Sequence, residues 1–267
     1  MLRLTLLAIA SSIWCCKALA FPAQQQPQHQ TYLADRSVQI RPATKADLDD
    51  ATTVVIDAFA PSAAWRYTFP HQDEYKEYQW KCLREEVGRQ FPNMPNTASL
   101  NVITVPTNES AFNTQAERTE RVVAIAVWKI LDPLNDQSDP SIFDVLGTGL
   151  TSAKCSDHLD TNITRALDFN MQFLAAEERY LYAPGEKQMH LGLLSTHPDW
   201  DGHNFGAAHV HWGMSLAKRM DLPVTLIATP AGWPLYDSLG FDSVANITIA
   251  TLDESEDLWF EYMRYEL

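Results

Sequence analysis

Cysteine and basic residues are both scarce in this sequence of 267 residues. None of the four cysteines has CxxC or Cys/His-finger spacing, which argues against a zinc finger and a disulfide-rich scaffold. Lys and Arg total 20 against 34 Asp and Glu, a net charge of −14. This balance argues against nucleic-acid binding through a broad basic face, because phosphate contacts need clustered Lys and Arg. The 46% of hydrophobic residues suffices for one substantial core and excludes a wholly disordered chain.

The long apolar run of the sequence is confined to the N-terminus. Residues 1–20 have a basic start, an apolar segment too short to span a bilayer comfortably, and small residues at the signal-peptidase positions. We therefore predict a cleaved signal peptide over 1–20, a secreted or secretory-pathway protein, and no integral membrane contact after cleavage. An uncleaved anchor is the alternative. Cleavage takes the net charge to −16 and leaves Cys82 and Cys155, whose pairing the sequence does not decide.

Three sequons agree with a secretory compartment. They are at Asn108, Asn162 and Asn246. Each predicts a glycosylated surface loop. The Gln/Pro-rich residues 21–36 predict a flexible lead-in. The rest, 37–267, is predicted to form one domain, with an insertion at about 131–187.

The order of predicted elements favours an α+β fold. Alternating and β-branched segments predict strands near residues 38–41, 100–105, 121–130, 189–196, 224–228, 244–252 and 259–265. Capping signals and apolar periodicity predict helices near 44–60, 73–91, 164–182, 205–220 and 233–239. Their succession predicts a mixed, mostly antiparallel sheet with helices on both faces.

A loop before the predicted helix at 205 offers a candidate anion site. It follows His-Pro-Asp-Trp at 197–200. A loop that opens onto a helix N-terminus presents backbone N–H groups and the positive end of the helix dipole, which suit a phosphate. Gly202 and Gly206 let the backbone approach a ligand closely, and Asn204 is one of the few other residues that tolerate a positive φ. For this loop alone, an ordinary strand-to-helix turn is the alternative.

A second segment makes the combination specific. It reads Ala-Thr-Pro-Ala-Gly-Trp-Pro-Leu-Tyr at 228–236, followed by Leu-Gly-Phe at 239–241. Together with 197–207, it resembles the acyl-CoA-binding core of the GNAT superfamily of N-acetyltransferases, in its fungal form. The resemblance spans about residues 37–265. It implies a GNAT-like fold, acetyl-CoA or another acyl-CoA as cosubstrate without a metal, and a small-molecule amine or peptide as acceptor.

Matching positions carry the family's roles onto individual residues. Backbone groups of Leu193, Leu194 and Ser195 would contact the pantetheine arm of CoA. The pyrophosphate would bind backbone N–H groups of Gly202, His203, Asn204, Phe205, Gly206 and Ala207. Thr229 would lie near the cofactor arm. Tyr236 would be the acid that protonates the departing thiolate, and a tyrosine packed under the sheet is the alternative.

The loop departs from the family pattern at two positions. Asp201 stands where Gln or Arg is usual, and Asn204 where Gly is usual. A carboxylate at the loop mouth repels phosphate, which a protonated His203 would partly offset. The sequence therefore leaves open an N-acyltransferase, a secreted non-catalytic binding or effector protein that has lost CoA binding, and an acyltransferase of secondary metabolism. The general base is open among Glu177, Glu178 and Asp199.

Overall fold

The computed structural model shows an eight-stranded sheet with helices on both faces. It describes residues 30–33, 36–90, 97–106, 120–134, 155–252 and 256–267. The predicted signal peptide, the sequon at Asn108 and residues 135–154 of the predicted insertion lie outside the described residues.

The regular elements follow the predicted order. The strands are β1 (Gln30–Leu33), β2 (Arg36–Pro42), β3 (Ala98–Pro106), β4 (Glu120–Leu131), β5 (Gln188–Thr196), β6 (Val224–Ala228), β7 (Asp242–Ile249) and β8 (Leu258–Tyr265). The helices are α1 (Leu48–Phe59), α2 (Ala63–Thr68), α3 (Lys76–Gln90), α4 (Ile163–Glu177), α5 (Phe205–Met220) and α6 (Trp233–Ser238). A π-helical turn, Glu178–Tyr182, extends α4.

Two of these elements differ from the prediction. Strand β1 lies within residues 21–36, which the sequence predicts as a flexible lead-in. It pairs antiparallel with β2, from Gln30 opposite Gln39 to Leu33 opposite Arg36. A strand of only four residues is too short to show apolar alternation and so gives no sequence signal. The one-and-a-half-turn helix α2 was not predicted either.

The sheet has the order β1-β2-β3-β4-β5-β6-β8-β7. Strands β5 and β6 are parallel, and the other described neighbours are antiparallel. The prediction of a mixed, mostly antiparallel sheet with helices on both faces is confirmed.

A 3₁₀ turn, Lys45–Asp47, precedes α1, and a capping box between Thr44 and Asp47 ties it to the sheet. Asp47 Oδ2 accepts from the Thr44 backbone N–H at 2.7 Å, and Arg41 donates to both Asp47 oxygens at 2.8 and 2.9 Å. Burial acts to raise the pKa of Asp47, but the hydrogen bonds from Arg41 and Thr44 outweigh it and lower that pKa. Farther along α1, Asp50 accepts from the backbone N–H of Val122 in β4 at 3.1 Å.

Close packing on one face of the sheet explains a glycine in the middle of α5. Gly213 lies against the ring of Trp128, which is fully buried in β4. A Cβ atom at 213 would lie 2.1 Å from Trp128 Cζ2. The helix therefore reaches this distance from the sheet only with glycine there.

The pairing of the two cysteines, which the sequence left open, is decided by the structure. Cys82 in α3 is bonded to Cys155, with 5.8 Å between their Cα atoms. The same region is held by Tyr78, whose hydroxyl accepts from the His158 backbone N–H at 3.0 Å. The chain that leads into α4 is thus attached to α3. Among the described helices, none combines the length and apolarity needed to cross a bilayer.

Candidate functional site

A cleft opens where the parallel strands β5 and β6 separate. Their ladder has three pairs and ends at Leu191 opposite Leu226, although β5 continues to Thr196. Leu191 and Leu193 pair with Trp128 and Val127, which are consecutive residues of β4. Gly192 therefore has no partner and forms a bulge in β5. A bulge bends its strand. The second half of β5 therefore remains paired with β4 and leaves one edge facing the cleft.

The residues predicted to contact the pantetheine arm lie on this free half of β5. The side chain of Leu193 packs in the cluster beneath α1 and α3, whereas that of Leu194 packs toward α5. Ser195 is buried. Backbone groups of a strand that point away from its one partner remain available to an extended ligand. The backbone role of the three residues toward the pantetheine arm stays a prediction.

The predicted phosphate loop has the backbone conformation that its sequence suggested. Gly202 has φ +78° and Asn204 has φ +60°, so Asn204 occupies the left-handed region that glycine usually fills. From 202 to 207, no backbone N–H donates to another described backbone group, and the first intrahelical bond of α5 is from Ala208 to Asn204. Six N–H groups at the start of a 16-residue helix are thus without a described backbone acceptor.

His203 is fixed by its own loop. Its Nδ1 lies 3.1 Å from the carbonyl oxygens of both Trp200 and Asp201. Because both partners are acceptors, Nδ1 carries the ring proton. The imidazole also stacks on Phe205 at 5.8 Å between ring centroids. The side chain of Asp201 is exposed beside it.

The second arm of the cleft comes from α6. Gly206 packs so closely that a Cβ there would lie 3.1 Å from Leu235 Cδ2 and 3.8 Å from Leu194 Cδ2. The start of α5, the free half of β5 and helix α6 therefore meet at one point. Thr229 is used in the turn before α6, where its Oγ1 accepts from the Gly232 N–H at 3.2 Å.

Tyr236 is the residue after Leu235 in α6. It is buried, with its ring edge-on to Phe241 at 5.9 Å. Burial raises the pKa of Tyr236 well above its ordinary value, so the phenol is protonated at neutral pH. The two alternatives for Tyr236 are compatible, because its ring is part of the core and its helix borders the cleft.

The structure also brings together two residues that the sequence did not connect. His197, directly after β5, places Nε2 at 3.1 Å from Asp57 Oδ2 in α1. His197 Nδ1 accepts from the Asp199 backbone N–H at 3.2 Å, so the ring proton of the neutral imidazole is on Nε2, the nitrogen that lies against Asp57. In the sequence 140 residues separate the pair, so no local signal indicated the contact.

The three candidates for the general base lie in different surroundings. Glu177 is buried in α4, and Glu178 is exposed. The side chain of Asp199 is 80% exposed, with Oδ2 at 3.7 Å from His197 Nδ1. Among the described residues, no group of three His, Cys, Asp or Glu is arranged to hold a metal ion.

Two predicted glycosylation sites fall among the described residues. Asn246 is exposed in β7 at the edge of the sheet, which corrects the prediction that it lies in a loop. Asn162 caps α4, with Oδ1 accepting from the Arg165 N–H at 3.1 Å. Its cap position agrees with the preference of Asn for helix N-termini.

No protein-family model matches this sequence, and no curated protein matches it. Solved structures do match. Putative arylalkylamine N-acetyltransferase 7 from the mosquito Aedes aegypti has a TM-score of 0.52 at 11% identity, over 86% of this chain and 87% of that chain. A histone acetyltransferase HPA2-related acetyltransferase from Corynebacterium glutamicum has a TM-score of 0.49 at 19% identity, over 85% and 96%. Arabidopsis thaliana NAA60 in complex with acetyl-CoA has a TM-score of 0.47 at 11% identity, over 85% and 97%.

At these identities the similarity shows the fold, and the mosquito structure carries the comparison. Its sheet and helices match this chain over most of both lengths. The chain therefore has the fold of the GNAT N-acetyltransferases, as the sequence predicted.

Proposed function

We propose that this protein is an acyl-CoA-dependent N-acyltransferase that transfers an acetyl group from acetyl-CoA to an amine. The supporting observation is the cleft between β5 and β6, which ends at the six N–H groups of residues 202–207. The free strand edge suits the amides of an extended pantetheine arm, and the helix N-terminus suits its pyrophosphate. CoA contains both groups in that order.

In the proposed reaction the neutral amine attacks the thioester carbonyl carbon and forms the C–N bond, the C–S bond breaks, the CoA thiolate leaves, and the proton lost by the amine passes to solvent. Tyr236 is the proposed partner of that thiolate. Because the pKa of Tyr236 is raised and that of a thiol is about 8.5, complete proton transfer from the phenol is uphill. Its main contribution is therefore a hydrogen bond to the negative sulfur, and solvent completes the protonation.

A specific observation favours a second candidate, a non-catalytic protein that has lost CoA binding. The exposed carboxylate of Asp201 lies at the mouth of the loop, next to the exposed Asp199. The chain without residues 1–20 also has a net charge of −16. Both oppose the approach of a polyanion.

Calorimetric titration with acetyl-CoA separates the two candidates. We expect the protein to bind it, and Asp201→Asn to lower the Kd, because the change removes a negative charge beside the phosphates. Asp221→Asn is the matched control. It makes the same change at the other end of α5, about 24 Å away at 1.5 Å per residue, and should leave the Kd unchanged. The absence of binding in both the wild type and Asp201→Asn would overturn the enzyme proposal.

We also propose that the protein enters the secretory pathway through residues 1–20 and is glycosylated at Asn108, Asn162 and Asn246. The supporting features are the tripartite N-terminus, the three sequons and the exposure of Asn246. Mass spectrometry of the protein secreted by a eukaryotic host tests this. We expect an N-terminus at Phe21 and a mass that falls on treatment with an N-glycosidase; a retained Met1 would contradict it.

A further inference from the structure

An aromatic side chain is exposed on one face of the strand pair β7–β8. Leu258, Phe260 and Tyr262 of β8 are buried in the apolar cluster that this pair shares with α4. Successive side chains of a strand point to opposite faces, so Trp259 points away from α4. Its side chain is 41% exposed. Much of a large aromatic face is thus in contact with solvent on this side of the sheet.

The sequon residue Asn246 shares this face with Trp259. The register pairs Asn246 with Glu261 and Thr248 with Trp259, so Asn246 and Trp259 are diagonal neighbours. Diagonal neighbours on antiparallel strands are about 7–8 Å apart, within reach of an aromatic side chain. A group attached to the Asn246 amide therefore begins beside the indole.

The amide of Asn246 is held by two neighbours on the same face. Its Oδ1 accepts from Thr248 Oγ1 at 3.1 Å, and its Nδ2 donates to Glu261 Oε2 at 3.3 Å. N-glycosylation replaces one of the two Nδ2 hydrogens. The other hydrogen remains for Glu261, so the sugar is attached to an amide whose orientation is already restricted.

The position of β7 in the sheet favours a glycan as the group that covers this face. Strand β7 is the last strand in the sheet order, and β8 is its partner among the described strands. Its sequence, DSVANITI, has no Lys or Pro, which are residues that commonly protect an edge strand from pairing with another chain. A bulky polar group on Asn246 supplies the protection that the side chains of β7 lack.

We propose that the first N-acetylglucosamine of a glycan on Asn246 packs on the indole of Trp259 and covers this end of the sheet. The C–H face of the sugar contacts the aromatic ring, while its hydroxyl groups remain in water. This inference rests on the glycosylation proposed above and is independent of the acyltransferase activity.

A protein with one sugar at one position tests the proposal. Ser110→Ala and Thr164→Ala remove the other two sequons and keep the Asn162 cap of α4. This protein is secreted by a eukaryotic host and trimmed with an endoglycosidase that leaves a single N-acetylglucosamine. The same sequence from a bacterial periplasm is the reference without sugar.

Two measurements on this pair report the contact. We expect the sugar to raise the melting temperature by at least about 2 °C, because it covers apolar surface only in the folded state. We also expect nuclear Overhauser contacts between the sugar and the Trp259 indole. A glycosylated protein without these contacts would overturn the proposal without any variant of Trp259.

Matched variants identify the surface that the sugar contacts. Trp259→Thr should reduce the gain in melting temperature to less than about 1 °C, and Trp259→Tyr should keep most of it, because the aromatic face is retained. Met171→Thr removes an apolar side chain that is 65% exposed on α4, on the other face of the sheet, and should keep the whole gain. An equal gain in the wild type and Trp259→Thr would contradict the proposal.

The outcomes separate this inference from the proposals on which it rests. If mass spectrometry finds no sugar on Asn246, both the glycosylation of this residue and the packing on Trp259 are wrong. If the sugar is present and its effect does not depend on Trp259, only the present inference fails. If the trimmed protein sediments as a dimer that Trp259→Thr dissociates, the face belongs to a second copy of the chain and the proposal is overturned. None of these results affects the acetyl-CoA titration that tests the enzyme.

Discussion

The imidazole of His209 makes a specific prediction about acid stability. His209 is fully buried in α5, and burial lowers its pKa from the ordinary 6.5 to about 4. In the unfolded chain the same group titrates at about 6.5. As the pH falls from 6.5 to 4, the unfolded state takes up a proton that the native state does not. Native stability is therefore lost across that window, with no further loss from this group below pH 4.

The size of the effect follows from the two pKa values. Between pH 7 and pH 5, the differential protonation of His209 costs about 1.8 kcal/mol of unfolding free energy, since one pKa unit corresponds to about 1.36 kcal/mol. His190 in β5 is also buried, with its pKa lowered to about 3, mainly by burial. It adds a loss of similar size over the same interval. Asp160 works in the opposite direction at low pH, because burial raises its pKa.

Urea denaturation at pH 7 and pH 5 isolates His209 when His209→Gln is compared with the wild type. The difference in unfolding free energy between them should shift by about 1.8 kcal/mol in favour of the variant at the lower pH, because all other groups are shared. His211→Gln, an exposed histidine on the same helix, should show no such shift. A difference that is independent of pH would refute the reasoning, whatever the absolute stability of the variant.

Three further predictions concern packing, cross-linking and chemistry. Gly213→Ala should lower the free energy of unfolding by at least about 2 kcal/mol, because the new Cβ would overlap the buried indole of Trp128. Gly88→Ala, where the nearest contact of a Cβ is at 3.7 Å, should be neutral or stabilising. Equal effects of the two variants in denaturation would contradict this prediction. The double change Cys82→Ser and Cys155→Ser should cost up to about 4 kcal/mol on loop entropy, since the bond spans 73 residues; an unchanged melting temperature would contradict it. Tyr236→Phe should lower kcat roughly 10- to 100-fold through loss of a hydrogen bond to the thiolate, with the Kd for acetyl-CoA unchanged; an unchanged kcat would remove Tyr236 from the chemistry.

Local sequence patterns predicted the elements that carry the cleft. The helix from Phe205 to Met220 was placed to the residue, and Asn204 was identified as tolerant of positive φ, which it adopts. These features depend only on residues that are neighbours in the sequence. Apolar spacing indicates the helix, and only a small set of side chains fits the left-handed region before it. Strand β1 escaped prediction because its four residues are too few to show a period and its formation depends on pairing with β2.

Contacts between distant residues could not be predicted in this way. The sequence did not indicate that Cys82 pairs with Cys155, that His197 lies against Asp57, or that Gly206 contacts Leu235. Each contact depends on how the helices pack across the sheet and on where β5 and β6 separate, and no local periodicity encodes those distances. The amino-acid sequence by itself determined the order of the strands and helices from β2 onward, apart from α2, and the chemistry of the loop before α5. Only the tertiary structure decided which side chains face one another, because a side chain reaches a distant partner only after the backbone around both has been fixed.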